Sequence, residues 1–109
     1  AFNLAAEIRH NLFLVVKEAL HNALKHSGAT EVRVEAAVKD AMLEIVVADN
    51  GRGFDMNGAG GGRLGNGLRN LRNRMENLGG RCEINSAPQL GTTLKFVLKL
   101  KSSAPRTFA

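Results

Sequence analysis

Met42-Leu43-Glu44-Ile45-Val46-Val47-Ala48-Asp49-Asn50-Gly51-Arg52-Gly53-Phe54 decides how the rest of this chain folds. The run from Met42 to Ala48 is apolar, rich in β-branched residues and of strand length, and it ends on a carboxylate followed by two glycines one residue apart. Glycine reaches backbone angles closed to other residues and lets a ligand lie against the main chain, and an ionised Asp only accepts hydrogen bonds. A strand that stops in this way is one means of building a site. Taken alone, the stretch is also the Asp-Asn-Gly turn of a hairpin.

Working outward toward the N-terminus, Lys39-Asp40-Ala41 is a short turn, and Glu31 to Val38 alternates, with Val32, Val34, Ala36 and Val38 on one side. That pattern predicts a half-buried strand antiparallel to the one ending at Asp49. Before it, Ile8, Leu12, Val15, Val16, Ala19, Leu20 and Ala23 recur at helical spacing, so a core helix is expected from Ile8 to Ser27. Lys25 and His26 suit its negative end and Gly28 stops it. Toward the C-terminus, Asp55 to Asn66 is a glycine-rich loop, read as a lid. Leu68, Leu71, Met75 and Leu78 predict a second helix over Gly67 to Leu78, ended by Gly79-Gly80. Strands are expected at Arg81 to Ala87 and Thr92 to Leu100, joined by a turn at Pro88 to Gly91. Helix, two strands, helix, two strands describes an α+β two-layer sandwich, here expected to have a mixed sheet with helices on one face.

With 109 residues and 44% hydrophobic content the chain is large enough for one core, and it is read as one domain over 1–101 with a tail or connector over 102–109. It begins at Ala1 without Met and is read as a segment of a longer protein. One Cys excludes an internal disulfide, no apolar run is long enough to span a membrane, and a reducing, cytoplasmic setting is expected. Fifteen Lys and Arg against ten acids give a net charge of +5, which favours an anionic ligand. The five aromatics, all Phe and scattered, do not make a base-stacking surface, so no direct nucleic-acid contact is expected.

Three further constellations carry chemistry. At about 100° per residue Glu18, Asn22 and Lys25 fall within an arc of roughly 60° beside the apolar face of the first helix, with Asn11 in the same arc. An amide oxygen is a ligand for hard cations and Lys neutralises phosphate; an ordinary polar helix flank has the same composition. Gly65-Asn66-Gly67-Leu68 leads into the second helix, whose unpaired N–H groups suit an anion, although the dinucleotide fingerprint is absent because Asn70 stands where its third glycine would be. Gly91-Thr92-Thr93 opens the last strand with hydroxyls.

In this order the four stretches resemble the ATP-binding catalytic domain of sensor histidine kinases, within the wider group of gyrase, Hsp90 and MutL ATPases. Glu18-Ala19-Leu20-His21-Asn22-Ala23-Leu24-Lys25-His26 looks like that family's N box, Asp49 to Phe54 its first glycine box, Gly65 to Leu68 its second and Gly91-Thr92-Thr93 its third. The short lid and the run from Gly67 to Gly80 look most like the NarL-associated branch. The resemblance implies a Bergerat-type fold, ATP and Mg²⁺ as cofactors, and a catalytic side at Glu18 and Asn22. It implies that Asp49 receives the adenine amino group, with Thr92 helping through a water, that Asn22 binds Mg²⁺, and that Lys25 and His26 face the phosphates. Gly51, Gly53, Gly65, Gly67 and Leu68 would complete the nucleotide site. It further implies phosphotransfer to a histidine on a separate helical domain, a response regulator downstream, a homodimeric parent and no direct membrane contact by this segment. A serine kinase of the anti-sigma-factor type and a non-catalytic ATP-sensing module are the alternatives.

Overall fold

The computed structural model describes residues 2–3, 6–26, 28–53 and 66–102. In chain order these form β1 (Phe2–Asn3), α1 (Ala6–His26), β2 (Val32–Lys39), β3 (Met42–Asp49), α2 (Asn66–Asn77), β4 (Arg81–Ala87), β5 (Gly91–Lys99) and β6 (Lys101–Ser102). Each expected helix and strand is present with its ends within two residues of the expectation, and β1 paired with β6 adds a small second sheet.

The main sheet has the order β2-β3-β5-β4 and is antiparallel at every pairing, not mixed as expected. The crossover from β3 through α2 to β4 makes those two strands parallel in direction. The hairpin return of β5 then inserts between them, so the parallel pair never touches. The β2–β3 hairpin turns on Asp40 and Ala41, both at positive φ (54° and 63°), the two-residue turn whose twist matches that of the flanking strands.

Both helices lie on one face of the sheet. Val15 and Ala19 of α1 and Leu71 and Met75 of α2 bury against Val47, Ile84, Leu94 and Phe96. Full burial of each large side chain stabilises the fold by roughly 1.5–3 kcal/mol. A Schellman motif closes α2: Gly80 N–H donates to Met75 O (2.8 Å), and Gly79, at φ 87°, donates to Glu76 O (3.0 Å).

The expectation that β2 is half-buried needs correction. The helix layer covers β3, β5 and β4, and of the apolar row of β2 only Val32 joins the core, leaving Val34 46% and Val38 54% exposed. Alternation reveals which side of a strand is apolar; its position at the sheet edge decides whether anything covers that side.

Candidate functional site

Asp49 ends β3, and the pairing register runs a single row through it: Val32, Asp49, Thr92 and Ser86 stand opposite one another on β2, β3, β5 and β4. Residues directly opposite in an antiparallel sheet project to the same face, and this row shares its parity with Val47, Leu94 and Ile84 of the core. Asp49, Thr92 and Ser86 therefore continue the core face at the sheet end, partly buried, where apolar side chains give way to polar ones.

The Asp49 carboxylate accepts a hydrogen bond from Gly51 N–H at Oδ1 (2.8 Å). Among the described residues Oδ2 has no such partner. The loop that follows is seated on the β4–β5 turn. Gly91 has φ 85°, and a Cβ there would overlap the Asp49 carbonyl oxygen; Gly53 has φ 59°, and a Cβ there would overlap Ala87 O. Arg52 O accepts from Gln89 N–H across the same contact. These two glycines are required by close backbone approach as well as by φ, as the sequence led us to expect of Gly53. Gly51 is buried.

Asn50 performs a role the sequence reading missed. Its Oδ1 accepts from Thr30 N–H (2.9 Å) and Glu31 N–H (3.0 Å), its Nδ2 donates to Thr30 Oγ1 (2.9 Å), and its backbone N–H donates to Glu31 O (3.2 Å). The segment after α1 is thereby stapled to the loop after Asp49. Arg52 also lies against Gly28, where a Cβ would stand 3.4 Å from Nη2. Asn22 and Lys25 lie in the last two turns of α1, which ends at His26 two residues before Gly28, so the N-box end of α1 and the strand-end row share one end of the molecule.

On α1, Asn22 is half-buried and Glu18 and Lys25 are exposed, and none of the three has a hydrogen bond or ion pair among the described residues. His26 closes α1, with its side chain outside the described residues. Gly67 and the half-buried Leu68 lie in the first turn of α2, where no acidic residue offsets the free N–H groups; Gly65 lies outside the described residues, as does the expected lid. An open groove of about 490 Å³ runs between α1 and α2, lined by Leu14, Lys17, Glu18, His21, Asn70, Leu71 and Arg74. Of the expected site residues it contains only Glu18, so it is a neighbour of the row and not the row itself. His10 and His21 are exposed.

The second missed residue is Ser86. Its hydroxyl lies 2.9 Å from Thr92 Oγ1 and 3.0 Å from Gly91 O. Counting back across the Pro88-Gln89-Leu90 turn pairs Ser86 with Thr92, so the hairpin register was the available signal. Cys82, beneath α2, is buried, and desolvation pushes its thiol up to about 11, which keeps it protonated and unreactive at neutral pH. The exposed Glu83 carboxyl is lowered, chiefly by its hydrogen bond from Arg81.

Among the described residues no group of three or more His, Cys, Asp or Glu converges as a metal site. The half-buried Asn22 amide offers the hard oxygen donor that Mg²⁺ takes, the rest of its shell being phosphate and water.

Residues 7–102 match the family described as histidine kinase-, DNA gyrase B- and HSP90-like ATPase. The chain belongs to this family. Sensor histidine kinase MctS of Rhizobium johnstonii is 36% identical over 103 residues, which are 94% of this chain and 22% of that protein. Sensor histidine kinase LiaS of Bacillus subtilis is 34% identical over 88 residues, 81% of this chain and 24% of that one. This ATPase-family chain thus spans about a quarter of the length of these curated relatives. Among solved structures, the histidine kinase domain of the blue-light activated kinase from Erythrobacter litoralis EL346 superposes with a TM-score of 0.70 at 25% identity, over 86% of this chain and 45% of that one. The ATP binding domain of PrrB from Mycobacterium tuberculosis gives 0.66 at 29% identity, over 85% and 69%. The α+β fold is that of the histidine kinase ATP-binding domains. No helix among the described residues is long and apolar enough to cross a membrane.

Proposed function

We propose that the chain binds Mg-ATP with its adenine on the strand-end row and donates the γ-phosphate to a histidine on a separate helical domain, in two-component signalling. The row supports this best: Asp49 is held by Gly51 N–H at Oδ1 and presents Oδ2, an unshared acceptor, beside Thr92. An exocyclic amino group fills that position. A carbonyl there would face acceptors alone and leave them unpaired, at a cost of about 1–3 kcal/mol.

The remaining residues take the phosphate side. Asn22 would hold Mg²⁺ with Glu18 on the catalytic side beside it, Lys25 and His26 would face the phosphates, and Gly65, Gly67 and Leu68 would bring the N–H groups of the second helix to them. Mg²⁺, when bound, offsets phosphate charge. In the transfer the Pγ–O bond to the β-phosphate breaks as a P–N bond to imidazole forms, and ADP leaves. These side chains chiefly position the phosphates and offset their charge.

The acceptor is taken to lie outside this segment. In these kinases the phosphorylated histidine is typically followed by an acid, whereas His10 and His21 are each followed by Asn. A homodimeric, cytoplasmic kinase region and a response regulator complete the proposal. Incubation with γ-labelled ATP tests it: acid-labile phosphate should appear on a separately made acceptor domain and not on this chain alone. Acid-stable phosphate on a partner would point instead to a serine kinase. Binding without any transfer would point to a nucleotide-sensing module.

A further inference from the structure

Strands β2 and β4 are the two edges of the main sheet. The helix layer covers the face of β4, burying Cys82 and Ile84, whereas β2 beyond Val32 is exposed along its whole length. The β2 edge also lacks the usual guards against pairing: it holds no Pro or Gly, and its register with β3 runs without a bulge. Asn50 N–H donates to Glu31 O, which sets the phase of the β2–β3 ladder. The odd-numbered residues of β2 therefore direct their main-chain groups at β3, and Val32, Val34, Ala36 and Val38 turn theirs outward.

Charge narrows what can pair there. A second copy meeting this edge antiparallel about a two-fold axis must centre on a residue, so that the apolar faces of both sheets stay on one side. Centred on Arg33 or on Glu35, that residue opposes itself; centred on Ala36, Arg33 opposes Lys39. Like charges directly opposite are destabilising. Centred on Val34, Arg33 of each copy opposes Glu35 of the other, and both side chains are exposed, at 68% and 63%. Centres nearer either end of β2 pair fewer residues before the chain turns away.

We propose that the outer edge of β2 is a docking surface for a second copy of this chain, paired antiparallel about Val34 so that two sheets become one. Val32 with Ala36, Val34 with Val34 and Ala36 with Val32 then exchange main-chain hydrogen bonds, and Val34, 46% exposed in the single chain, packs against its own copy. None of the residues proposed to hold nucleotide takes part, so the dimer stands or falls apart from that site.

Sedimentation equilibrium tests the charges. Wild type should show a monomer–dimer equilibrium, and Arg33→Glu and Glu35→Arg should each weaken it about tenfold, because each turns both cross-copy pairs into like-charge pairs. Mixing the two variants should restore the dimer, since the acidic edge of one then meets the basic edge of the other. Within each variant chain the charges at positions 33 and 35 remain alike, so only pairing between copies explains the recovery. Mild oxidation tests the register. Val34→Cys stands on the axis within disulfide reach and should cross-link as a dimer; Ala36→Cys is offset from its own copy by four residues, about 13 Å, and should not. Wild type that stays monomeric at every soluble concentration, charge variants that dimerise as wild type does, or a mixture no more associated than its parts overturns the proposal. Equal cross-linking at positions 34 and 36 overturns it too, and decides alone should the charge variants fail to fold.

Discussion

The strand-end row and the flank of α1 lie at one end of the molecule but are held in opposite ways. Asp49, Thr92 and Ser86 are fixed by a backbone N–H, a shared hydroxyl chain and two glycines that bring main chain against main chain. Glu18, Asn22 and Lys25 are placed by helical spacing alone, with no hydrogen bond or ion pair among the described residues. A rigid acceptor row can discriminate between bases, because an acceptor that cannot turn away penalises the wrong partner. A flank of unpaired polar side chains suits phosphates and a cation, whose shell is completed by ligand oxygens and water.

The largest effect should come from breaking the rigid side. Gly91→Ala puts a Cβ into the Asp49 carbonyl at a positive φ, and neither backbone can give way. Overlap and strain together should cost about 3 kcal/mol or more. Thermal unfolding should fall by more than about 12 °C; a fall below about 3 °C would mean the strands do not meet as described. Asn50→Ala removes the staple of three side-chain bonds to Thr30 and Glu31. Their exposure limits the loss to about 2 kcal/mol, readable by urea denaturation, with base selection preserved.

On the other side, Asn22→Ala should leave stability nearly unchanged and weaken ATP binding about tenfold in Mg²⁺, with little change in EDTA. Equal loss in both conditions would remove Asn22 from the cation. The smallest effect is confined to alkaline pH. Burial raises the Cys82 thiol from 9.0 to about 11, so the folded chain holds that proton more tightly than the unfolded chain. Its contribution is complete below pH 9.0 and is lost as pH rises toward about 11. Cys82→Ala should flatten stability across that window, and an unaltered slope would contradict the assignment.

Periodicity made the helices and strands legible, because 3.6- and 2-residue repeats record which side of an element is apolar. It could not record what covers that side, and so β2 was expected to bury Val34 and Val38, which the edge position leaves exposed. Nor does it give the order of strands: β5 returning between β3 and β4 is a tertiary outcome, and it makes the sheet antiparallel throughout. Asp49 and Gly53 stood out because a strand that ends on an acid and turns on spaced glycines is one means of building a site. Asn50 and Ser86 did not, since their partners are 19–20 residues away in one case and across a hairpin in the other. A short polar side chain announces nothing until the register is known.

The central claim is that Asp49 reads the base, and Asp49→Asn tests it most directly. Gly51 N–H holds Oδ1 in place, so the amide nitrogen of the variant takes the Oδ2 position and turns a donor toward the adenine amino group. Titration with a non-hydrolysable Mg-ATP analogue should show affinity at least about tenfold below wild type, with the dependence on Mg²⁺ unaltered. Equal affinity in the two proteins would contradict the account.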